Sequence, residues 1–296
     1  MKENIKISGF ADEISQDFET QLKTVTELGM HYISLRSADG KNVADYTAAE
    51  AEEKLLPRLK AYGVGVSSLG SPIGKIPVND EEAFAQDCRK LEELCRMCKV
   101  FDCRYIRIFS FYIPEDEDPE TYHDAVVAKL RRYDEIAQKY GVVLLHENEK
   151  GIYGDIPERC LDLVETFGGR LKCIFDPANF IQCGARPADA YPMLKKHIYY
   201  FHMKDALLAD GSVVPCGMGD GSVPEILKDY GGDETGLTIE PHLKVFAGLN
   251  ALQGEELHHK YAYSDNRTAF RAAVDAVKSI LTDAGYREGE ANRWIK

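Results

Sequence analysis

The sequence lacks any long apolar run. No stretch of its 296 residues approaches the roughly 20 consecutive apolar residues that a membrane-spanning helix needs. The first residues, Met-Lys-Glu-Asn-Ile-Lys-Ile, also lack the apolar core of a signal peptide. We therefore expect a cytoplasmic protein that has no membrane partner.

An excess of positive charge is missing as well. The chain carries 49 acidic and 36 basic residues, and its formal net charge is −13. Proteins that bind the phosphate backbone of nucleic acids do so through a basic face. The charge balance therefore argues against a nucleic-acid partner.

The sequence also lacks a second C-x-x-C pair. Among the eight cysteines, Cys95-Arg-Met-Cys98 has the C-x-x-C spacing, but no second pair accompanies it. A structural zinc site would need that second pair or nearby histidines, and a redox motif would begin a helix after a strand. Because this pair lies late in a predicted helix, we expect reduced thiols at core or boundary positions, as is typical of the cytoplasm.

The sequence has no glycine-rich phosphate loop. The first predicted strand runs into Gly9-Phe10-Ala11-Asp12, which does not match the dinucleotide-binding turn of a doubly wound sheet. The segment Pro215-Cys-Gly-Met-Gly-Asp-Gly lacks a Walker lysine, so it is expected to be a loop rather than a nucleotide site. A doubly wound open sheet remains the alternative fold, and these turns disfavour it.

What the chain does contain is eight strand-then-helix units. Apolar runs predict strands at 5–10, 32–35, 64–69, 105–111, 142–145, 171–175, 198–203 and 236–239. Helices are predicted at 15–29, 47–62, 80–99, 119–140, 156–167, 187–196, 223–230 and 266–284, and a long polar loop at 242–264. Eight such units without a break in composition predict one α/β domain over 1–296, a (β/α)8 TIM barrel.

Local signals predict where two of these helices begin. Ser15 is expected to cap the first helix, and Thr47 with Glu50 has the spacing of a capping box at the start of the second. Gly29 and Gly63 lie where the same helices should end.

Ionisable residues stand at the ends of the last four predicted strands. The segment Gly141–Gly154 is the clearest case, because an apolar strand passes abruptly into His146, Glu147, Asn148, Glu149 and Lys150. The carboxyl ends of barrel strands are where catalytic groups project. A surface loop with ordinary charges is the alternative for this segment taken alone.

The other three strands end in the same way. Asp176 follows the sixth strand, His202 and Lys204 lie at the end of the seventh, and Glu240 follows the eighth. One such residue alone would be expected to cap a helix or form an ion pair, but three carboxylates this close would repel one another without a cation. Three carboxylates and one imidazole suit Mn²⁺, Mg²⁺ or Co²⁺ better than a structural zinc ion.

These motifs resemble the sugar phosphate isomerase/epimerase family, which has the xylose isomerase-like barrel and also includes ketose 3-epimerases, inosose isomerases and dehydratases, and endonuclease IV. The resemblance extends over essentially the whole chain. It is carried by His-Glu-Asn-Glu at 146–149, Phe-Asp-Pro-Ala-Asn at 175–179, His-Met-Lys-Asp at 202–205 and Ile-Glu-Pro at 239–241.

The resemblance implies a ligand set for one divalent metal, most often Mn²⁺, with Mg²⁺, Co²⁺ or Zn²⁺ as alternatives. That set is Glu147, Asp176, His202 and Glu240. It further implies that Glu147 and Glu240 act as base and acid on opposite faces of a sugar, with Lys204 as a third catalytic candidate. Lys204 could instead form an ion pair. Strand alternation should turn His146 away from the site.

Substrate contacts are predicted for Arg36, Arg107, Glu149 and Asn179, although structural salt bridges would explain the two arginines equally well. Ketose 3-epimerases have a histidine where this chain has Asn179, and an arginine shortly after the strand-seven histidine, where this chain reads Lys204-Asp205-Ala206. Both departures weigh against an epimerase of free ketoses. Endonuclease IV needs more metal ligands and a basic surface.

The sequence thus predicts a metal-dependent sugar, sugar phosphate or polyol isomerase or epimerase that transfers a proton next to a carbonyl. A lyase on the same scaffold, either an inosose-type dehydratase or a C-glycoside-cleaving enzyme, is one alternative. A metabolite-binding barrel without catalysis is another. The expected partner is a small carbohydrate, and a homo-oligomer is also expected.

Overall fold

Eight parallel strands form the centre of the molecule. The computed structural model describes residues 4–231, 234–246, 261–289 and 293–296. The strands are β1 (Asn4–Gly9), β2 (Tyr32–Leu35), β3 (Gly65–Leu69), β4 (Tyr105–Ile108), β5 (Val143–Glu147), β6 (Lys172–Phe175), β7 (Ile198–Met203) and β8 (Glu234–Ile239). They follow one another around the sheet in chain order, and β8 pairs in parallel with β1. This arrangement is the predicted TIM barrel.

Helices cover the outside of the strands. They are α1 (Phe18–Glu27), α2 (Ala48–Glu50, Ala51–Leu55 and Leu56–Tyr62, the middle piece being a π-type turn), α3 (Glu81–Val100), α4 (His123–Tyr140), α5 (Pro157–Thr166), α6 (Pro177–Gln182), α7 (Pro187–Leu194), α8 (Val223–Asp229) and α9 (Asn266–Asp283). Their apolar sides pack on the strands in a continuous core. No helix among the described residues combines the length and apolarity that crossing a membrane would require.

Helix ends follow the predicted signals at α2 and at the end of α1, where Gly29 is left-handed, but depart from them at the start of α1. Thr47 and Glu50 form the predicted capping box, and Gly63 ends α2 in the left-handed conformation. The predicted cap at Ser15 is wrong. Asp17 caps α1 instead, because its carboxylate accepts a hydrogen bond from the backbone of Thr20 at 2.7 Å.

The C-terminal end of the chain adds two strands that sequence reasoning missed, β9 (Arg287–Glu288) and β10 (Arg293–Ile295). Strand β10 runs antiparallel to the first residues of β1, and Trp294 lies opposite Ile5. In the part of the chain that the structure describes, no backbone ladder joins β1 to β2, so β10 occupies that side of β1 at its amino-terminal end.

The barrel interior beneath the carboxyl ends of the strands is partly polar. Ser34 and Ser68 hydroxyls lie 2.6 Å apart, and Ser8 and Thr238 hydroxyls 3.1 Å apart. Gly236 of β8 leaves the space that the buried ring of Tyr200 fills, since a side chain at 236 would clash with that ring. This layer forms the floor under the strand ends. Most of the loop predicted at 242–264 lies outside the described residues.

Candidate metal centre

Four side chains from the ends of β5 to β8 converge at the mouth of the barrel. Glu147 is the last residue of β5, Asp176 follows β6, His202 lies in β7 and Glu240 follows β8. All four are buried, and one ligand atom from each lies within 4.8 Å of the others. The sequence prediction that these residues converge is confirmed by this geometry.

His202 lies between the two glutamates. Its Nδ1 is 2.6 Å from Glu147 Oε1 and 2.8 Å from Glu240 Oε2. Burial disfavours the charged imidazole, but the two carboxylates outweigh it and raise the pKa of His202 to about 9. A metal ion ligated by His202 would need the neutral form of this imidazole.

The donor set fits a divalent cation. Asp176 Oδ2 is buried and accepts no well-formed hydrogen bond from any described residue, although the charged nitrogen of Lys204 lies 3.3 Å from it. Burial raises the pKa of Asp176 to about 7, with Lys204 opposing that shift and the neighbouring glutamates adding to it. Oxygen-rich sites with one imidazole are the chemistry that Mn²⁺, Mg²⁺ and related ions prefer.

The two carboxylate oxygens of Asp176 have different contacts. Oδ1 accepts a hydrogen bond from the backbone of Asn179 at 2.9 Å and so caps α6, while Oδ2 points to the cluster. Asn148 fixes the same segment, because its side chain bonds both the N–H and the C=O of Asp176. Helix α6 was not predicted, since the proline after Asp176 also suits a turn.

The two predicted substrate-binding arginines contact the two glutamates. Arg107 Nη1 donates to Glu147 Oε2 at 3.0 Å, and its other two nitrogens donate to backbone carbonyls of 70 and 71. Arg36 Nη1 donates to Glu240 Oε1 at 3.2 Å, and its other nitrogens lie on Asp12 and Glu13. Each glutamate therefore has one oxygen on a guanidinium and the other on His202.

Phe10 packs against both guanidinium groups and His202. Its ring centroid is 4.3 Å from the guanidinium carbon of Arg36, 4.9 Å from that of Arg107 and 5.1 Å from the His202 ring. Phe10 is fully buried under the charged groups.

A second group of potential ligands, Glu13, Glu240 and His242, shares one residue with the first. His242 Nε2 is 3.3 Å from Glu240 Oε1 and 3.4 Å from Glu13 Oε1. Arg36 contacts these same two oxygens, so a guanidinium already occupies the cation position there. Sequence reasoning missed Glu13 and His242, although both follow strand ends, at Ala-Asp-Glu after β1 and Glu-Pro-His after β8.

Glu149, predicted as a substrate contact, follows Glu147 by two residues and forms an ion pair. Lys75 Nζ is 2.6 Å from Glu149 Oε2 and 4.5 Å from the centre of the Phe109 ring. Burial lowers the pKa of Lys75, but Glu149 outweighs it and the net shift is upward. Lys75 lies in the loop after β3 and was not predicted.

Asn179, the remaining predicted substrate contact, is fully buried. Its Nδ2 donates to the carbonyl of Asn148 at 2.9 Å. Its Oδ1 accepts no hydrogen bond from the described residues. One side of this amide is therefore used in the fold, and the other offers an acceptor.

His146 lies behind β5, on the face opposite to Glu147, as strand alternation predicts. Its Nε2 is 2.9 Å from the hydroxyl of Ser110, and Gly154 packs so closely on the ring that any side chain there would clash. Burial lowers the pKa of His146 to about 4. The ring is a neutral packing residue between barrel and helices.

The glycine-rich segment predicted as a mouth loop wraps around Asp205. The Asp205 carboxylate accepts hydrogen bonds from the backbone N–H groups of Gly217 at 2.8 Å, Gly219 at 3.1 Å and Gly221 at 2.9 Å. A side chain at Gly219 or Gly221 would clash with that carboxylate. The loop is thereby fixed next to Lys204.

Among the curated proteins that are similar in sequence to this chain, one has a sugar phosphate epimerase activity in its name. The chain is 26% identical over 141 residues to the probable L-ribulose-5-phosphate 3-epimerase UlaE of Mycoplasma pneumoniae. That match covers 46% of this chain and 45% of the relative. This chain thus matches less than half of the curated relative's length.

Solved structures resemble the chain over nearly its whole length. An L-ribulose 3-epimerase has a TM-score of 0.70 and 17% identity, covering 96% of each chain. The IolI protein with a bound zinc atom has a TM-score of 0.71 and 17% identity, covering 95% of this chain and 99% of that one. At 17% sequence identity, this structural similarity establishes the fold of the chain and not its activity.

The family model described as xylose isomerase-like TIM barrel matches residues 22–278. This match includes β2 to β8 and all four residues of the candidate metal centre. The chain belongs to the xylose isomerase-like TIM barrel family.

Proposed function

We propose that this chain is a divalent-metal-dependent isomerase or epimerase of sugars or polyols, acting by proton transfer next to a carbonyl. The observation that carries the proposal is the convergence of Glu147, Asp176, His202 and Glu240, each from the end of a different strand. Mn²⁺ is the proposed ion, with Mg²⁺, Co²⁺ or Zn²⁺ as alternatives. When bound, such an ion supplies Lewis-acid stabilisation of an enediolate.

The two glutamates are the proposed proton carriers. Glu147 Oε1 and Glu240 Oε2 both lie within 2.8 Å of His202 Nδ1, so the two carboxylates face the same small region, where one could take a proton from a substrate carbon and the other return it. Arg36 and Arg107 hold the outer oxygens and keep the carboxylates in these orientations.

Lys204 is the third proposed catalytic group. Its ammonium lies 3.3 Å from Asp176 Oδ2 at the edge of the cluster and is 2% exposed. From that position it can hold a substrate oxyanion or protonate an oxygen that leaves. The second of these abilities supports a lyase on the same scaffold as the alternative function, since elimination also begins with proton removal next to a carbonyl.

Hydrogen–deuterium exchange into a panel of substrates tests the proposal. The protein loaded with Mn²⁺ is incubated in D₂O with ketoses, inososes and glycosides, and NMR follows deuterium at the carbon next to the carbonyl. We expect exchange into at least one ketose or inosose. A metal-loaded protein that exchanges no proton in the panel would contradict an isomerase, an epimerase and a lyase alike.

A matched pair of variants separates an enzyme from a binding protein. Glu240→Gln removes a proposed proton carrier, and Glu165→Gln makes the same change at a carboxylate that is 56% exposed. We expect Glu240→Gln to abolish exchange and Glu165→Gln to retain it. Unchanged exchange in Glu240→Gln would remove that residue from the mechanism.

A further inference from the structure

The residues Asn148, Asp176 and Asn179 are joined by hydrogen bonds in a closed ring. The Asn148 side chain bonds the backbone of Asp176, because its Nδ2 donates to the C=O at 3.0 Å and its Oδ1 accepts from the N–H at 2.9 Å. The Asp176 carboxylate accepts from the N–H of Asn179 at 2.9 Å. The Asn179 side chain donates to the C=O of Asn148 at 2.9 Å. Each side chain therefore fixes the backbone of the next residue in the ring.

The ring begins where the backbone ladder between β5 and β6 ends. The last residues that pair in parallel register are Glu147 and Ile174. Beyond them, the amide of Asn148 bonds both backbone groups of Asp176. An amide side chain suits this task because it carries a donor and an acceptor side by side, as a peptide group does. The pairing of the two strands is thus extended to a proposed metal ligand.

All three members of the ring are buried. Asp176 and Asn179 have no exposed surface, and Asn148 is 1% exposed. A buried polar group that loses its hydrogen-bond partner is costly, so the bonds of the ring restrict the position of Asp176.

Asp176 is held differently from the two glutamates of the candidate metal centre. Each glutamate has one oxygen on a guanidinium group. Asp176 has one oxygen, Oδ1, on the backbone N–H of Asn179. Its other oxygen, Oδ2, is buried and accepts no well-formed hydrogen bond from any described residue, with Lys204 at 3.3 Å. Because the ring occupies Oδ1, Oδ2 is the oxygen that remains for an ion.

From this ring we propose that Asn148 and Asn179 are positioning residues, which hold Asp176 so that Oδ2 faces the other three proposed ligands. The inference rests on the metal centre of the function proposed above. Asn179, predicted from the sequence as a substrate contact, is a positioning residue here because its Nδ2 is used inside the ring. Neutral amides suit this role, since they fix a carboxylate without adding a positive charge that would repel a cation.

The binding of Co²⁺ and the visible spectrum of the bound ion test this role. Calorimetry gives the affinity, and the absorption bands at saturating Co²⁺ report the ligands that surround the ion. In Asn148→Ala, the backbone of Asp176 loses both of its bonds to the ring. We expect Co²⁺ affinity to fall about 100-fold and the bands of the saturated protein to shift, because Oδ2 no longer keeps its position.

Asn179→Ala is a milder variant of the same ring. It removes the bond to the carbonyl of Asn148 and leaves the N–H at position 179 on Asp176 Oδ1. We expect Co²⁺ affinity to fall about 10-fold, with a smaller shift of the bands. If Asn148→Ala does not fold, unchanged affinity and spectrum in Asn179→Ala overturn the proposal. Unchanged affinity with a higher KM for a ketose makes Asn179 a substrate contact instead.

Gln21→Ala is the matched control, because it also removes a buried amide that bonds the backbone. Gln21 is 1% exposed, and its Nε2 donates to the carbonyls of Ser15 at 2.8 Å and Ser37 at 3.3 Å. We expect Gln21→Ala and Asn148→Ala both to unfold at a lower urea concentration than wild type. Only Asn148→Ala should change the Co²⁺ affinity and spectrum. Equal losses of Co²⁺ affinity in the two variants would attribute the effect to stability and overturn the positioning role.

The outcomes also separate this inference from the proposed function. A folded Asn148→Ala protein with wild-type Co²⁺ affinity and spectrum overturns the positioning role, and the proposed function stands if deuterium exchange occurs. Co²⁺ binding that responds to Asn148→Ala, in a protein that exchanges no proton, supports the positioning role and overturns the proposed function. If the wild-type protein binds neither Co²⁺ nor Mn²⁺, both fail.

Discussion

The two halves of the barrel contribute different parts of the candidate metal centre. Strands β5 to β8 supply all four proposed ligands. Arg36 follows β2 and Arg107 lies in β4, and the ring of Phe10, after β1, packs against both guanidinium groups. The second half thus provides the groups that would bind a cation, and the first half holds two of them in position.

This difference shows which contacts a sequence motif can reveal. Each ligand stands at the end of its own strand, so a short segment identifies it. The ion pairs that hold the two glutamates instead join residues that are far apart in sequence. Arg36 and Glu240 are 204 residues apart, and Arg107 and Glu147 are 40 apart. In sequence, those arginines look the same as arginines that bind substrate.

The largest expected effect is the loss of a ligand from the second half. Asp176→Asn removes a negative charge from the cluster while its amide oxygen can still cap α6. We expect Mn²⁺ affinity to fall by about 1,000-fold, a larger loss than is usual for a residue that only supports a ligand. Calorimetric titration measures it, with Glu165→Gln as control. Wild-type affinity in Asp176→Asn would exclude Asp176 as a ligand.

A second effect concerns the hydrogen bond between His146 of β5 and the hydroxyl of Ser110, which follows β4. This contact joins the two halves of the barrel. The folded pKa of His146 is about 4, below the ordinary value of 6.5. The neutral His146 ring therefore makes its full contribution to the free energy of unfolding above pH 6.5. As pH falls from 6.5 toward 4, the unfolded chain takes up a proton that the folded ring does not, and about 3 kcal/mol of stability is lost.

Replacement of this histidine by glutamine tests that contribution. Urea unfolding of wild-type protein and His146→Gln is followed between pH 7 and pH 4. We expect the stability of the variant to fall less steeply over this interval, because it lacks the titrating ring. Parallel curves for the two proteins would show that the folded ring accepts a proton readily.

Smaller effects are expected from the first half of the site. Arg107→Met and Arg36→Met should each weaken Mn²⁺ binding by about 10-fold, because the buried glutamates lose the groups that orient them. Calorimetry measures this, and Arg131→Met, outside the site on α4, is the control. If both variants keep wild-type metal affinity while the KM for a ketose rises, the arginines bind substrate, as the sequence suggested.

The smallest effect belongs to the first half away from the site. Thr47→Ala removes the side-chain acceptor of the capping box at α2. We expect the free energy of unfolding to fall by about 1 kcal/mol, with unchanged Mn²⁺ affinity. Urea unfolding and calorimetry measure the two quantities. A drop in metal affinity would mean that the first half transmits local stability to the site.

Much of the fold was predictable from local patterns. The predicted strands at 32–35 and 198–203 coincide with β2 and β7, because clear breaks bound each apolar run. The first helix cap was misplaced by two residues, since Ser15 and Asp17 are equally good caps in sequence. Strand β10 could not be predicted, because three residues form a strand there only through pairing with β1 at the other end of the chain.

The positions of the four proposed ligands were predictable from the sequence, and the residues that contact them were not. Glu147 was identified by the apolar strand that precedes it, and the same reasoning applied to β6, β7 and β8. Lys75 was missed because it lies in a loop whose path no local pattern determines, and His242 was missed although it follows the end of β8. The commitment of both arginines to carboxylates depends on geometry across the barrel.

The position of Phe10 has a consequence for how this site can change during evolution. Because one ring contacts Arg36, Arg107 and His202 together, a substitution there alters the surroundings of three charged groups at once. Mutations at these four positions should therefore be epistatic, each tolerated only in certain backgrounds of the others. Lineages that acquire a new substrate preference are then expected to change the outer residues first and to leave this quartet intact.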